Sequence, residues 1–179
     1  LNYAYHLKLN EVSRLSFGIG AIVNQFSFNN TKINPMDVTD PSFQGGVQNN
    51  LTLDASFGML YRYNEKLKIG FSTQQILRSK MKTLNIVPGS DSRLIRHYNL
   101  QLTYSFLVNE NLTIEPSVLL KATEITPIQT DVNLKGWYNK TVMLGLSYRH
   151  QDAVVALVGM KYKKMFIGYS YDLNTSVIK

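Results

Sequence analysis

Hydrophobic and polar residues alternate with a period of two along most of this chain. The clearest run is residues 97–106, HYNLQLTYSF, in which every second residue is apolar or aromatic. A period of two is the spacing of a β-strand, whose successive side chains point to opposite faces, and it does not fit a helix. With the turn-forming residues between the runs, the pattern predicts ten strands, near residues 2–9, 14–28, 52–63, 67–77, 96–108, 112–124, 128–138, 141–150, 153–162 and 165–174.

The predicted connections alternate in length along the chain. On one side lie tight polar turns, at residues 10–13, 64–66, 109–111, 139–140 and 163–164. On the other side lie two long links and two short ones, at residues 29–51, 78–95, 125–127 and 150–152. Tight turns on one side and longer loops on the other are typical of an antiparallel up-and-down sheet in a membrane barrel.

The two faces of the predicted strands differ in composition. One face is mostly Ser, Gly, Asn, Gln and Thr, with scattered charges of both signs at Lys8, Asp54, Arg62, Glu115, Lys121, Asp131, Lys135, Arg149, Lys161 and Asp172. The other face is apolar, and its aromatic residues concentrate toward the strand ends, at Tyr3, Tyr5, Tyr61, Tyr63, Tyr98, Tyr104, Phe106, Tyr138, Tyr148, Tyr162, Tyr169 and Tyr171. Aromatic girdles of this kind mark the two interfaces of a lipid-facing barrel wall.

These features together predict an all-β fold, a transmembrane antiparallel up-and-down β-barrel of the outer membrane. The polar face then lines the lumen, where we expect a salt-bridge network among Asp54, Arg62, Glu115, Lys121, Asp131, Lys135, Arg149 and Asp172. A soluble sandwich or a lipocalin also alternates and stays an alternative; in those folds the tyrosines pack inside a core.

The positions of the tight turns also predict whether the chain is a whole barrel or part of one. The first and last connections are both tight turns, so both ends of the chain lie on the long-loop side. Barrels of this class keep both termini in the periplasm, on the tight-turn side. We therefore expect residues 1–179 to be one barrel domain in fragment form, with ten strands here and at least about twelve in the whole protein, an odd number being missing at each end.

Composition excludes several other classes. The chain has no Cys, which excludes disulfides, thiolate metal sites and a cysteine nucleophile. The net charge of +7 invites a nucleic-acid role, but the basic residues are split among loops, turns and both ends, so we expect no nucleic-acid partner. The histidines His6, His97 and His150 lie in no catalytic or metal motif, and we expect no enzyme activity, metal or cofactor.

The two long loops carry the candidate partner-binding residues. The first loop presents the apolar residues Ile33, Met36 and Phe43 between prolines and glycines. The second has a basic excess from Arg78, Lys80, Lys82, Arg93 and Arg96, suited to lipopolysaccharide or to an acidic face of an exported protein. Long loops in compact folds are usually functional or disordered, and a merely solvated loop stays an alternative for the second.

Several segments resemble one known family. They are residues 3–7 (YAYHL), 15–18 (LSFG), 116–121 (PSVLLK), 145–149 (GLSYR), 152–159 (DAVVALVG) and 167–172 (IGYSYD). In order and spacing they are similar to the PorP/SprF family of type IX secretion system outer-membrane proteins from Bacteroidota. Gln151 departs from the family pattern, where a turn Gly precedes Asp152, and Met160 stands where Phe is commoner.

The resemblance implies a complete barrel of about fourteen strands. It also implies docking or anchoring of secreted and surface-attached proteins that bear type IX C-terminal sorting domains, gliding adhesins among them. The implied partners are outer-membrane lipid, lipopolysaccharide, those secreted proteins, and periplasmic ring or peptidoglycan-linked components. Two rivals stay open: a passive, porin-like diffusion channel, and an embedded hydrolase that would depend on His97 or His150.

Overall fold

The computed structural model describes residues 1–29, 47–81 and 92–175, and these residues form one antiparallel sheet. Its strands are β1 (Asn2–Lys8), β2 (Ser13–Asn29), β3 (Val47–Tyr63), β4 (Leu67–Gln74), β5 (His97–Tyr104), β6 (Phe106–Leu107), β7 (Leu112–Thr123), β8 (Gln129–Tyr138), β9 (Val142–Arg149), β10 (Ala153–Tyr162) and β11 (Met165–Asn174). Within these three ranges no helix has the length and apolarity needed to cross a membrane.

The sheet is an open meander. Each strand pairs antiparallel with its neighbours in sequence, in the order β1-β2-β3-β4-β5-β7-β8-β9-β10-β11, and the two-residue β6 continues β5 along β7. The edges β1 and β11 do not pair with each other. The all-β, up-and-down antiparallel arrangement is therefore confirmed for the described residues, whereas closure into a barrel is not observed.

The predicted strands match the observed ones apart from three differences. β3 begins at Val47 rather than near residue 52, because the ladder with β2 continues through polar residues that break the alternation. The strand predicted over residues 67–77 ends at Gln74, since Gln75 has a φ of 58° and turns the chain out of the sheet. The strand predicted over residues 96–108 is interrupted at Ser105, which raises the number of strands from ten to eleven.

The tight turns lie where the sequence predicts them, and asparagine begins four of the five. Asn64 and Glu65 both have positive φ, 49° and 51°, as do Asn139 and Lys140, at 51° and 54°. Two consecutive positive values define a type I′ turn, whose twist matches that of the strands it joins. In two other turns the Oδ1 atoms of Asn10 and Asn109 accept hydrogen bonds from backbone amides two and three residues further on.

Gln151, in the turn between β9 and β10, has a φ of 60°. The left-handed conformation strains an L side chain by about 1–2 kcal/mol, and glycine is free of that strain. Because the extra freedom of glycine in the unfolded chain offsets part of the gain, we expect Gln151→Gly to raise the free energy of unfolding by about 0.5–1 kcal/mol. Urea unfolding measures the change. Gln129→Gly, in extended β8, is the control and should lose stability; a loss in both variants would contradict the prediction.

The register separates the side chains into two faces, which we call the apolar face and the polar face. Across β7 to β11 one row of the apolar face consists of Pro116, Leu134, Leu146, Ala156 and Tyr171, each directly opposite the next. Leu134 and Leu146 are 53% and 61% exposed. The apolar face is therefore uncovered in the described sheet.

The polar face is the better covered of the two. The neighbouring row across β7 to β9 consists of Ser117, Asn133 and Ser147, and the two serines are only 7% and 9% exposed. Asn50, Thr52, Asp54 and Asp131 are further buried polar residues of this face. A soluble sandwich buries its apolar face and exposes its polar one. The observed burial is the reverse, which disagrees with the soluble alternative.

Candidate functional site

The chain that follows β4 leaves the regular ladder at Gln75 but stays hydrogen-bonded to β3. Residues 75–81 and 92–96, which we call the loop base, are joined by a short antiparallel ladder. Lys80 and Arg93 form its bridge, Met81 N donates to Ser92 O at 2.9 Å, and Leu94 N donates to Ser79 O at 3.1 Å. Backbone hydrogen bonds therefore hold the two ends of the second long loop together.

Asp54 of β3 anchors the loop base to the polar face. Its Oδ1 accepts a hydrogen bond from Leu77 N at 3.0 Å, and its Oδ2 accepts one from Ser79 N at 3.5 Å. Ser79 Oγ also donates to Leu53 O, and Ile76 N donates to Ala55 O at 3.2 Å. Asp54 is 3% exposed, so this carboxylate acts as a buried acceptor of backbone amides.

Glu124, which follows β7, holds the opposite side of the loop base. Its Oε2 lies 3.2 Å from Arg78 Nη2, and its Oε1 lies 3.4 Å from Arg96 Nη1. Arg96 Nε also donates to Ile76 O at 3.0 Å. Asp54 lies on β3 and Glu124 follows β7, so the loop base, which joins β4 to β5, is held on both sides by the neighbouring strands.

The predicted partner-binding residues fall into three groups. Arg78 and Arg96 are half-buried and bound to Glu124, whereas Lys80 and Arg93 are exposed on the loop base. The remaining candidates, Ile33, Met36, Phe43 and Lys82, lie outside the described residues. Glu124 was not among the site residues predicted from the sequence. The sequence does contain a signal for Glu124. It is a carboxylate at the end of a predicted strand, on the same side of the sheet as the second long loop with its basic excess.

Four of the predicted lumen charges meet near the long-loop end of the polar face. Asp131 lies 2.5 Å from Lys121 Nζ and 3.9 Å from Arg149 Nε. Arg149 Nη1 in turn lies 3.0 Å from Asp152 and 3.7 Å from Asp172. The group ties together β7, β8, β9 and β11. Asp131 is buried and the others are partly exposed, so the network is a cross-strand brace open to water.

A second polar group surrounds Glu115 nearer the tight turns. Glu115 accepts hydrogen bonds from Trp137 Nε1 at 2.8 Å and from Ser105 Oγ at 2.7 Å, and it lies 3.9 Å from Lys68 Nζ. Lys135 is directly opposite Glu115 in the register but forms no ion pair with it. Trp137 and Ser105 were not among the site residues predicted from the sequence. The last two predicted lumen charges, Asp54 and Arg62, lie on the polar face of β3.

The three histidines lie apart in the fold. His6 is on β1, where its Nδ1 and Ser16 Oγ are hydrogen-bonded at 2.8 Å. His97 begins β5, and His150 follows β9 with its ring against Tyr148. In the described ranges, no group of three His, Asp or Glu residues has a geometry that could hold a metal ion.

An antiparallel sheet with an exposed apolar face and a covered polar face is typical of proteins that cross a membrane with β-strands. The family model for the type IX secretion system membrane protein PorP/SprF matches residues 1–179, and the chain belongs to this family. A comparison with curated proteins found no match. The resemblance noted in the sequence is therefore confirmed. The chain is a membrane component of a secretion system, consistent with an outer-membrane location, and its family is not an enzyme family.

Proposed function

We propose that this chain forms most of a closed outer-membrane barrel that docks type IX cargo. The observation that carries the membrane part is the reversed burial, in which exposed leucines and tyrosines cover one face and the polar face is covered. Every residue of β1 and of β11 is exposed, and each strand has one unpaired edge. Lipid does not tolerate an unpaired edge, so further strands of the protein close the wall, to about fourteen in all.

The loop base supports a docking role over free diffusion. It is fixed between β3 and the end of β7 by Asp54 and Glu124, and we infer that a loop held in this way restricts the passage of solutes at the long-loop end. In this proposal lipid and lipopolysaccharide hold the wall, and the long loops contact secreted or surface-attached proteins with type IX sorting domains, such as gliding adhesins. The tight turns face the periplasmic ring or peptidoglycan-linked components.

Substitutions in the loop base test cargo docking. Lys80 and Arg93 are its exposed cations, so the double variant Lys80→Gln, Arg93→Gln is expected to lower the amount of surface-attached cargo severalfold while the barrel reaches the membrane at normal abundance. Protease accessibility of the cargo on whole cells is the measurement. The matched control is Lys66→Gln, Lys140→Gln, which removes two exposed cations from the tight-turn end. Unchanged cargo in the first variant would contradict docking at this loop.

A passive diffusion channel is the second candidate, favoured by the many Ser, Asn and Thr residues on the polar face. Conductance in planar bilayers separates the two functions. A channel passes a steady ion current, whereas a docking barrel with a latched loop base passes little. A large steady current through the full protein without cargo would favour the channel.

A further inference from the structure

Four basic residues stand side by side on the polar face near the tight turns. Lys8 of β1 is directly opposite Arg14 of β2, which is opposite Arg62 of β3, which is opposite Lys68 of β4. We call these four residues the basic row. Directly opposed side chains have Cβ atoms about 5 Å apart, and like charges at that spacing destabilise a sheet. The row therefore needs counter-charges.

The carboxylates of the described residues compensate the basic row only in part. Lys8 lies 2.9 Å from Glu11, and Arg14 lies 3.9 Å from Glu65, but both glutamates belong to tight turns and are largely exposed. Exposed pairs of this kind contribute little. Glu115 lies 3.9 Å from Lys68, and it already accepts two hydrogen bonds.

Arg62, inside the row, is the least compensated member. No carboxylate of the described ranges lies within ion-pair distance of Arg62, and its Nε is buried without a hydrogen-bond partner. Buried polar atoms are normally satisfied, so an unpaired guanidinium N–H between two other cations needs an explanation. An acceptor with negative charge supplies one.

A cavity lies beside this guanidinium. Its volume is about 550 Å³, and its polar lining consists of His6, Lys8, Arg14, Ser16 and Arg62. The hydrogen bond between His6 Nδ1 and Ser16 Oγ fixes two of these side chains. The cavity is open to solvent, within the range of ligand pockets of about 300–1,000 Å³ and large enough for a small anion with its hydration shell.

We propose that the basic row and its cavity bind a phosphate-type oxyanion, either free or carried by a larger molecule. Two planar guanidinium groups match the paired oxygens of such an anion, and arginine binds them bidentately. Rings of Arg and Lys are also the devices by which pores select anions and phosphates. The site depends on the pairing of β1 to β4, so it stands independently of cargo docking.

Inorganic phosphate is the first probe. We expect the Tm of the full protein in zwitterionic detergent to rise with phosphate at constant ionic strength. Arg62→Gln and Arg14→Gln should each weaken the apparent affinity about tenfold or more, because each removes charge-assisted hydrogen bonds. Lys66→Gln, which removes an exposed turn cation at the same end but outside the row, should respond like the natural protein. An equal response in all variants, or an equal rise with chloride, overturns the proposal.

Stability measurements without phosphate distinguish anion binding by Arg62 from a structural role of its side chain. Without phosphate, Arg62→Gln should be at least as stable as the natural protein, since it relieves repulsion within the row. A Tm that falls without phosphate and is rescued by Arg62→Lys, with no phosphate dependence in either, would overturn the proposal in favour of a packing role. Soluble short-chain phosphatidic acid identifies the source: stronger stabilisation than by inorganic phosphate indicates a lipid headgroup, and weaker stabilisation indicates the free anion.

Discussion

Leu100→Arg is expected to lower the free energy of unfolding from a lipid bilayer by about 2–4 kcal/mol. Leu100 lies in the middle of β5 on the apolar face, directly opposite Phe71 of β4 and Leu120 of β7, and it is 45% exposed. If that face contacts hydrocarbon, the substitution places a charge near the midplane of the membrane. Urea unfolding of the full protein from phospholipid vesicles measures the loss.

The control for this experiment is the next residue along the strand. Gln101 lies on the polar face of β5, is exposed, and belongs to the same strand at the same depth. Gln101→Arg is therefore expected to change stability by no more than about 0.5 kcal/mol. Equal losses from the two substitutions would mean that the apolar face does not contact lipid, and the proposed barrel would have to be abandoned.

Asp54→Ala is expected to produce the second large effect, a loss of about 3 kcal/mol. The substitution removes the acceptor of two loop-base amides, Leu77 N and Ser79 N, besides that of Ala55 N, and hydrogen bonds to a charged group contribute about 1.5–3 kcal/mol each. Hydrogen exchange at these two amides should accelerate by at least about tenfold, because the loop base loses its attachment to β3.

A second carboxylate of the polar face serves as the control for Asp54. Asp172 makes one long contact, 3.7 Å to Arg149, and its side chain is 44% exposed. Asp172→Ala should therefore cost less than about 1 kcal/mol and leave exchange at Leu77 unchanged. If exchange at Leu77 does not respond to Asp54→Ala, this carboxylate does not attach the loop base to β3, and the proposed restriction of solutes at the long-loop end is wrong.

The opposite ends of the sheet serve different purposes in these proposals. At the long-loop end, Asp54 and Glu124 hold the loop base between β3 and the end of β7, and Lys80 and Arg93 are exposed on it. At the tight-turn end, the basic row leaves positive charge uncompensated beside a cavity. An anion bound there would lie at the periplasmic mouth of the barrel, away from the cargo-facing loops, so the two sites can be tested separately.

Sequence-based expectations were accurate wherever local pattern decides structure. The five tight turns and the bounds of the last two strands were predicted correctly, because alternation and turn residues act over a few positions. The start of β3 was missed, since three of its first five residues are polar, Gln48, Asn49 and Asn50, and this segment owes its strand conformation to pairing with β2. The end of β4 was missed as well. Gln75 has a positive φ, and the residues after it bond to β3 residues more than twenty positions away, which a local pattern does not reveal.

The amino-acid sequence by itself determined the strands, the turns, the two faces and the family, because the side-chain period and the turn geometry are local properties of the backbone. Only the tertiary structure decided which charges meet. Arg78 and Arg96 share Glu124, and Asp54 accepts loop amides. The basic row exists only because four strands pair in one particular register. A one-residue slip would turn each side chain of a strand to the opposite face, so these groupings depend on contacts between strands and not on neighbours in sequence.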